Sequence, residues 1–327
     1  MRRTLTVSCI AISIALVAAV SYLMHFRLVD EPDLPGLLKH GQLPWEGHSR
    51  TFSYYVPERL APAPPLVLVF HGSGGNAGQS RLAYAYEFER LAERFGFIVA
   101  YPDGYEKHYN GCRAKGPYAA NEQNIDDVGF MRQLVTYFID QHGIDARAVF
   151  ATGLSNGGQM ALRLALEAPD LVAAVAPVAT SMPTPDNMGC TASGKPVAFL
   201  LVNGTDDPMN PFEGGKVALY GLLGDRGHVL SSLDSTRYWA DLAGHQAPQR
   251  HTLPDLDSTD ASTVDVTLWQ QPGLPPVALY QVNGGGHNVP HPQLKFPRLL
   301  GGTNQDIAGA EAIWAFFQTA LEAQALQ

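Results

Sequence analysis

The chain has 327 residues, 46% hydrophobic and 16% charged, a composition that excludes a mainly disordered protein and suits one large domain with a full core. Its formal net charge is −9 and no Lys/Arg cluster goes beyond isolated pairs, which argues against a nucleic-acid partner and for a neutral substrate, or one whose charge lies away from the reacting centre. In chain order, Met1-Arg2-Arg3 supplies positive charge ahead of an uncharged, mostly apolar run from Thr4 to Met24. That pattern predicts a signal peptide or N-terminal membrane anchor over residues 1–24, and hence a secreted or periplasmic protein that an uncleaved segment could hold at a membrane. Small residues at Ala19 and Ser21 fit a cleavage site. Residues 25–49, with prolines between Asp30 and Pro44, read as an irregular tether, which leaves 50–327 as a single catalytic domain.

Within that domain Thr51–Val56 alternates as a strand, and Pro65–Phe70 is an apolar run that reads as a buried one. Ser80–Phe95 has helical spacing up to Gly96, and Phe97–Ala100 is a strand ending in the turn Pro102-Asp103-Gly104. Asp126 and Asp127 open a helix to Gln141, where carboxylates suit the N-terminus and have a structural role. Further strands are expected at Ala148–Ala151, Val197–Val202 and Val277–Val282, and helices at Met160–Leu166, Ser231–Ala243 and Gln305–Leu321. Strands alternating with helices predict an α/β fold with a mostly parallel central sheet flanked by helices.

The chemistry centres on Gly153-Leu154-Ser155-Asn156-Gly157, a G-x-S-x-G sequence between a predicted strand and a predicted helix. A strand that turns sharply into a helix leaves its middle residue strained and exposed at the sheet edge, with small neighbours to avoid collision. Ser155 is therefore the expected nucleophile. A base and an orienting carboxylate should follow it in chain order, acid first. Asn203-Gly204-Thr205-Asp206-Asp207-Pro208 follows one predicted strand and Asn283-Gly284-Gly285-Gly286-His287 another, which puts both groups at the carboxyl edge of the sheet. His287 is the base; Asp207 is preferred as acid, with the adjacent Asp206 left open. His71, ahead of the serine, is read as structural. The glycine-rich loop after Phe70 is expected to aim a backbone amide, that of Ser73, at the oxyanion, together with the amide of Asn156. Cys112 and Cys190 are expected to form one disulfide, since two cysteines without close spacing do not make a zinc site.

The segments VFHGSGGN, YPDGY, NIDDVGF, GLSNGG, NGTDDPMNPFEGG and GGGH occur in an order and spacing that resembles the secreted polyhydroxybutyrate depolymerase and feruloyl esterase-like group of α/β-hydrolases, from about Arg50 onward. The resemblance implies the α/β-hydrolase fold, with Ser155 as nucleophile, Asp207 as acid, His287 as base and an oxyanion hole near Ser73 and Asn156. One departure is visible: in the family the histidine is followed shortly by Trp, whereas here Asn288-Val289-Pro290 follows.

The expected reaction is hydrolysis of a small-molecule or oligomeric carboxylic ester, such as a polyhydroxybutyrate oligomer or a feruloyl or acetyl polysaccharide ester, through an acyl-enzyme, with no metal and no organic cofactor. A serine peptidase or acyltransferase on the same triad, or a non-catalytic binding protein, are the alternatives. Tyr105, Tyr109, Tyr118 and Phe212 are aromatic candidates for a pocket lining, or equally for core.

Overall fold

The computed structural model describes residues 17, 18 and 20–326. The apolar run from residue 4 falls largely outside the described residues; among those described, no helix is long and apolar enough to cross a membrane. The large sheet has ten strands: β1 (Leu37–Trp45), β2 (His48–Val56), β3 (Leu66–Phe70), β4 (Ile98–Pro102), β5 (Val149–Leu154), β6 (Ala174–Val178), β7 (Ala198–Gly204), β10 (Gln249–Thr252), β11 (Thr263–Trp269) and β12 (Val277–Asn283). Their spatial order is β1-β2-β4-β3-β5-β6-β7-β12-β11-β10. The run from β4 to β12 in that order is parallel and forms the apolar interior, while β1, β2, β11 and β10 add antiparallel margins. Two short strands, β8 (Gly215–Lys216) and β9 (His228–Val229), pair separately.

Helices cover both faces, as the apolar central strands require. On one side lie α3 (Asp127–His142), α4 (Asn156–Glu167) and α5 (Ser232–Leu242), with Phe130, Leu134, Met160, Leu164 and Trp239 buried against the sheet. On the other lie α1 (Ala77–Ala83), α2 (Glu87–Phe95) and α6 (Gly309–Gln324), where Trp314 stacks on Phe97 at 4.0 Å and Phe317 on Phe150 at 4.6 Å. The mostly parallel, helix-flanked sheet is as the sequence predicts.

Several local expectations are corrected. Residues 25–49 are not an irregular tether throughout: Leu37–Trp45 pairs with the whole of β2, and Trp45 Nε1 donates to the Asp126 carbonyl at 2.9 Å. Pro44 is compatible with a strand there because it sits at the margin of the sheet. The helix expected over Ser80–Phe95 is broken at Ala85 and Tyr86, whose φ values are 53° and 59°. An ion pair from Arg81 Nε to Glu89 at 2.6 Å spans the break, so buried tertiary contacts outweigh the helical periodicity. The strand Ala174–Val178 carries Pro177 in the middle of the sheet, and its pairing with β7 lapses over Ala176 and Pro177 before resuming at Val178. That lapse is where a residue lacking an N–H can be tolerated.

Candidate active site

Leu154, Val178, Val202 and Tyr280 lie in one register row across β5, β6, β7 and β12. Ser155 is the first residue past that row on β5, and the loops carrying Asp207 and His287 leave β7 and β12 at the same end. Neighbouring strands are about 4.8 Å apart, so the segments emerge within loop reach of one another.

Ser155 has φ 57° and ψ −111°, and α4 begins immediately after it. The two flanking glycines are required by crowding. A Cβ on Gly153 would meet the Gly157 carbonyl carbon at 2.5 Å and Phe70 Cβ at 2.8 Å, and one on Gly157 would strike the carbonyl oxygens of Phe70 and His71. The turn is thus wedged against the end of β3, and the wedge holds a non-glycine residue in the left-handed half of φ/ψ space.

The loop after β3 is fastened by His71. Its Nε2 accepts the Gly104 N–H at 2.9 Å, so Nδ1 carries the proton and donates to the Gly72 carbonyl at 2.7 Å. Burial holds this imidazole below its ordinary pKa, consistent with a neutral structural ring. The Gly74 and Gly75 amides are consumed by the carbonyls of Lys107 and Gly72, both at 3.0 Å. The amides of Ser73 and Asn156 make no hydrogen bond among the described residues, so they are the donors left for an incoming oxygen. Asn156 is fixed by its side chain, which accepts from the Tyr109 amide at 2.8 Å and donates to the Tyr109 carbonyl at 3.0 Å.

Asp207 Oδ2 and His287 Nδ1 are hydrogen-bonded at 2.7 Å, with both side chains buried. The other oxygen of Asp207 accepts the amides of Met209 at 2.7 Å and Asn210 at 2.8 Å, which fixes the carboxylate. Asp206 has no part in this: its carboxylate takes the Thr205 hydroxyl at 3.1 Å, on the exposed side of the turn. His287 is held by its backbone amide, which donates to the Leu300 carbonyl at 2.6 Å; a Cβ on Gly286 would strike that same carbonyl. With Nδ1 donating to Asp207, Nε2 is the basic nitrogen of the ring. Among the described residues, Ser155 and His287 are not hydrogen-bonded to each other.

Beside the Ser73 loop is a cleft of about 530 Å³ lined mainly by apolar side chains, among them Leu82, Leu154, Phe296 and Leu300, with Phe26 and Leu28 contributed from the far N-terminal side. Its lining includes Leu300, whose carbonyl holds His287, and Gly72, Ser73 and Leu154, so the cleft adjoins the site. Sequence reasoning missed Phe26 and Leu28 because they fall in the stretch read as a tether. Their placement comes from Arg27, which exchanges backbone hydrogen bonds with Lys295 at 2.8 and 2.9 Å. Of the four aromatic candidates, Tyr109 and Phe212 are core, and Tyr105 bonds Gln123 at 3.1 Å. Two of them touch the loop after β3: Tyr109 Oη accepts the His71 amide at 3.4 Å from within the core, and Tyr118 Oη accepts the Ser73 hydroxyl at 3.0 Å.

Cys112 and Cys190 form a disulfide, as expected, across 78 residues of sequence. Among the described residues, no cluster of three or more His, Cys, Asp or Glu is arranged to hold a metal.

Residues 51–182 match the family described as esterase PHB depolymerase. Among curated proteins, the chain is 28% identical over 275 residues to the "Putative esterase NocK" of Nocardia uniformis subsp. tsuyamanensis, covering 81% of this chain and 78% of that protein. It is 30% identical over 155 residues to "Feruloyl esterase B" of Talaromyces funiculosus, covering 47% of this chain but 39% of that protein. Among solved structures, "Acetyl xylan esterase from Aspergillus awamori" superposes with a TM-score of 0.54 at 18% identity, covering 85% of this chain and 98% of that one. The last match bears on fold alone. Together these similarities bear out the resemblance to esterases of the polyhydroxybutyrate depolymerase and feruloyl esterase kind, and the α/β-hydrolase fold.

Proposed function

We propose that this relative of the esterase PHB depolymerase family is a serine carboxylic ester hydrolase that works through Ser155, His287 and Asp207 and a covalent acyl-enzyme. The observation that carries the reading is the buried 2.7 Å bond between His287 Nδ1 and Asp207, at the same sheet edge as a serine in a strained strand-to-helix turn. Asp207 fixes the imidazole with Nε2 unprotonated, and Nε2 takes the Ser155 proton as Oγ attacks the ester carbonyl; the Ser–His hydrogen bond forms as substrate binds. The amides of Ser73 and Asn156 receive the developing oxyanion, and the helix that starts at Asn156 adds its positive end to the same place. The protonated imidazole then gives its proton to the departing alcohol. Water, deprotonated by the same nitrogen, releases the acid and restores the hydroxyl.

The apolar cleft beside Ser73 and Leu300 supports an acyl or alcohol group with substantial hydrocarbon, in keeping with hydroxyalkanoate or aromatic esters. The disulfide supports export, because such bonds persist in oxidising compartments. Hydrolysis of 4-nitrophenyl butanoate by the exported protein, with labelling by a fluorophosphonate, tests the whole assignment. Ser155→Ala is expected to abolish both while the protein stays folded, and Asp207→Asn to lower kcat by about 10⁴-fold. Labelling of Ser155→Ala at the wild-type rate would refute the nucleophile.

A further inference from the structure

Arg113 is 4% exposed, and its Nε is closed off from solvent with no hydrogen-bond partner. Among the described residues its guanidinium makes neither a hydrogen bond nor an ion pair. A buried cation without a partner is unfavourable, and folded proteins pair such groups unless a ligand supplies the counter-charge. Burial disfavours the charged form of Arg113, which lies near Tyr118, Arg226 and Asp207; the Arg226 guanidinium opposes that charge further, and the Asp207 carboxylate favours it. Arg226 Nε donates to Tyr118 Oη at 2.7 Å, its Cζ lies 5.9 Å from the Tyr118 ring centre, and among the described residues it too has no carboxylate partner. The same Tyr118 oxygen accepts the hydroxyl of Ser73, so the two arginines converge on the loop whose amide faces the reacting carbonyl.

The scaffold holding them is rigid. The Cys112–Cys190 disulfide adjoins Arg113, and the Cys112 carbonyl takes the Gly189 amide at 2.7 Å. Asn187, fully buried, accepts the Ala114 amide at 2.8 Å and donates through its side chain to the Arg226 carbonyl at 3.0 Å, which ties both arginine segments together. A chain of net charge −9 has no general attraction for anions, so a paired cationic position linked through Tyr118 to the Ser73 loop calls for a specific one.

We propose that Arg113 and Arg226, with Tyr118, form a carboxylate-binding subsite beside the Ser73 loop, and that the preferred substrates are esters bearing a free carboxylate as well as an apolar portion. The inference rests on the esterase reading above. A guanidinium pair suits a carboxylate because each can give two parallel N–H donors to its oxygens. Soluble oligomers of hydroxy acids, which end in a carboxylate, have this chemistry; neutral acetylated sugars do not.

The test compares hydrolysis of 3-(butanoyloxy)butanoic acid with that of its methyl ester. Wild type is expected to favour the free acid by about tenfold or more in kcat/KM, the range of a charge-assisted hydrogen bond. Arg113→Gln and Arg226→Gln should each bring that ratio toward one, while Lys115→Gln, which removes an exposed cation on the same loop, leaves it unchanged. A wild-type ratio at or below one, or arginine variants that keep it, overturns the proposal. Should Arg113→Gln not fold, Arg226→Gln decides, together with inhibition of 4-nitrophenyl butanoate hydrolysis by 3-hydroxybutanoate. That inhibition is expected in wild type and to weaken about tenfold in the variant; equal inhibition by inorganic phosphate would overturn the carboxylate assignment. If neither ester is cleaved and the serine is not labelled, the esterase reading has failed, and calorimetric binding of 3-hydroxybutanoate to wild type and Arg226→Gln still decides the subsite.

Discussion

The strain at Ser155 can be separated from its proposed chemistry by two substitutions that both remove the hydroxyl. Ser155→Ala keeps the Cβ in a backbone with φ 57° and ψ −111°; Ser155→Gly removes it. Holding an L-residue in such a sparsely populated region costs on the order of 1–3 kcal/mol, and glycine has no such cost. Glycine in turn loses about 0.5–1 kcal/mol more backbone entropy on folding. The difference leaves Ser155→Gly more stable than Ser155→Ala by roughly 1 kcal/mol, the reverse of the order at ordinary positions. Denaturant midpoints of the two variants, converted with a common m-value, give this number directly. An alanine variant as stable as the glycine variant, or more so, refutes the claim that the turn stores strain at the serine. A positive result ties the placement of the Ser155 hydroxyl to energy drawn from the rest of the fold, through the wedge of Gly153 and Gly157 against β3.

Two further outcomes follow from the same structure. Replacing both Cys112 and Cys190 by Ala opens a 78-residue loop and, on the chain-entropy account, lowers unfolding free energy by roughly 4 kcal/mol; a urea-midpoint change equivalent to less than about 1 kcal/mol contradicts that account. His71 is buried with its pKa below the ordinary imidazole value, so its contribution to stability is complete above the unfolded-state pKa and is lost as pH falls toward the folded one. His108 and His142 shift in the same direction, also chiefly through burial, and add to the slope. Stability should therefore fall between neutral pH and pH 5, and His71→Asn should flatten that fall; an unchanged slope in the variant assigns it elsewhere.

What could be read from the sequence is what short-range chemistry dictates. Gly153 and Gly157 are glycines because backbone atoms of the neighbouring strand occupy the space of a side chain, and that need leaves a local signature around Ser155. The central strands announce themselves because both of their faces are covered, which makes them continuous apolar runs. The departures arise where a distant partner decides. β1 carries polar and proline residues, yet it pairs along its length with β2; the helix ends at Ala83 and the chain breaks at Ala85 and Tyr86 without a glycine or proline, where Arg81 and Glu89 find each other across the break.

The site divides along the same line. The groups proposed to react lie at strand ends and carry motifs, whereas the residues that would choose a substrate are assembled from loops that only the fold brings together. Phe26 and Leu28 reach the cleft because Arg27 bonds across 266 residues to the Gln293 carbonyl at 2.5 Å, and Arg226 meets Tyr118 across 108. No spacing rule links such positions. A carboxylate subsite built this way can change between relatives without touching Ser155, Asp207 or His287; the family match over residues 51–182 takes in Ser155, Arg113 and Tyr118 but not Asp207, Arg226 or His287, so it is weak evidence about the ester.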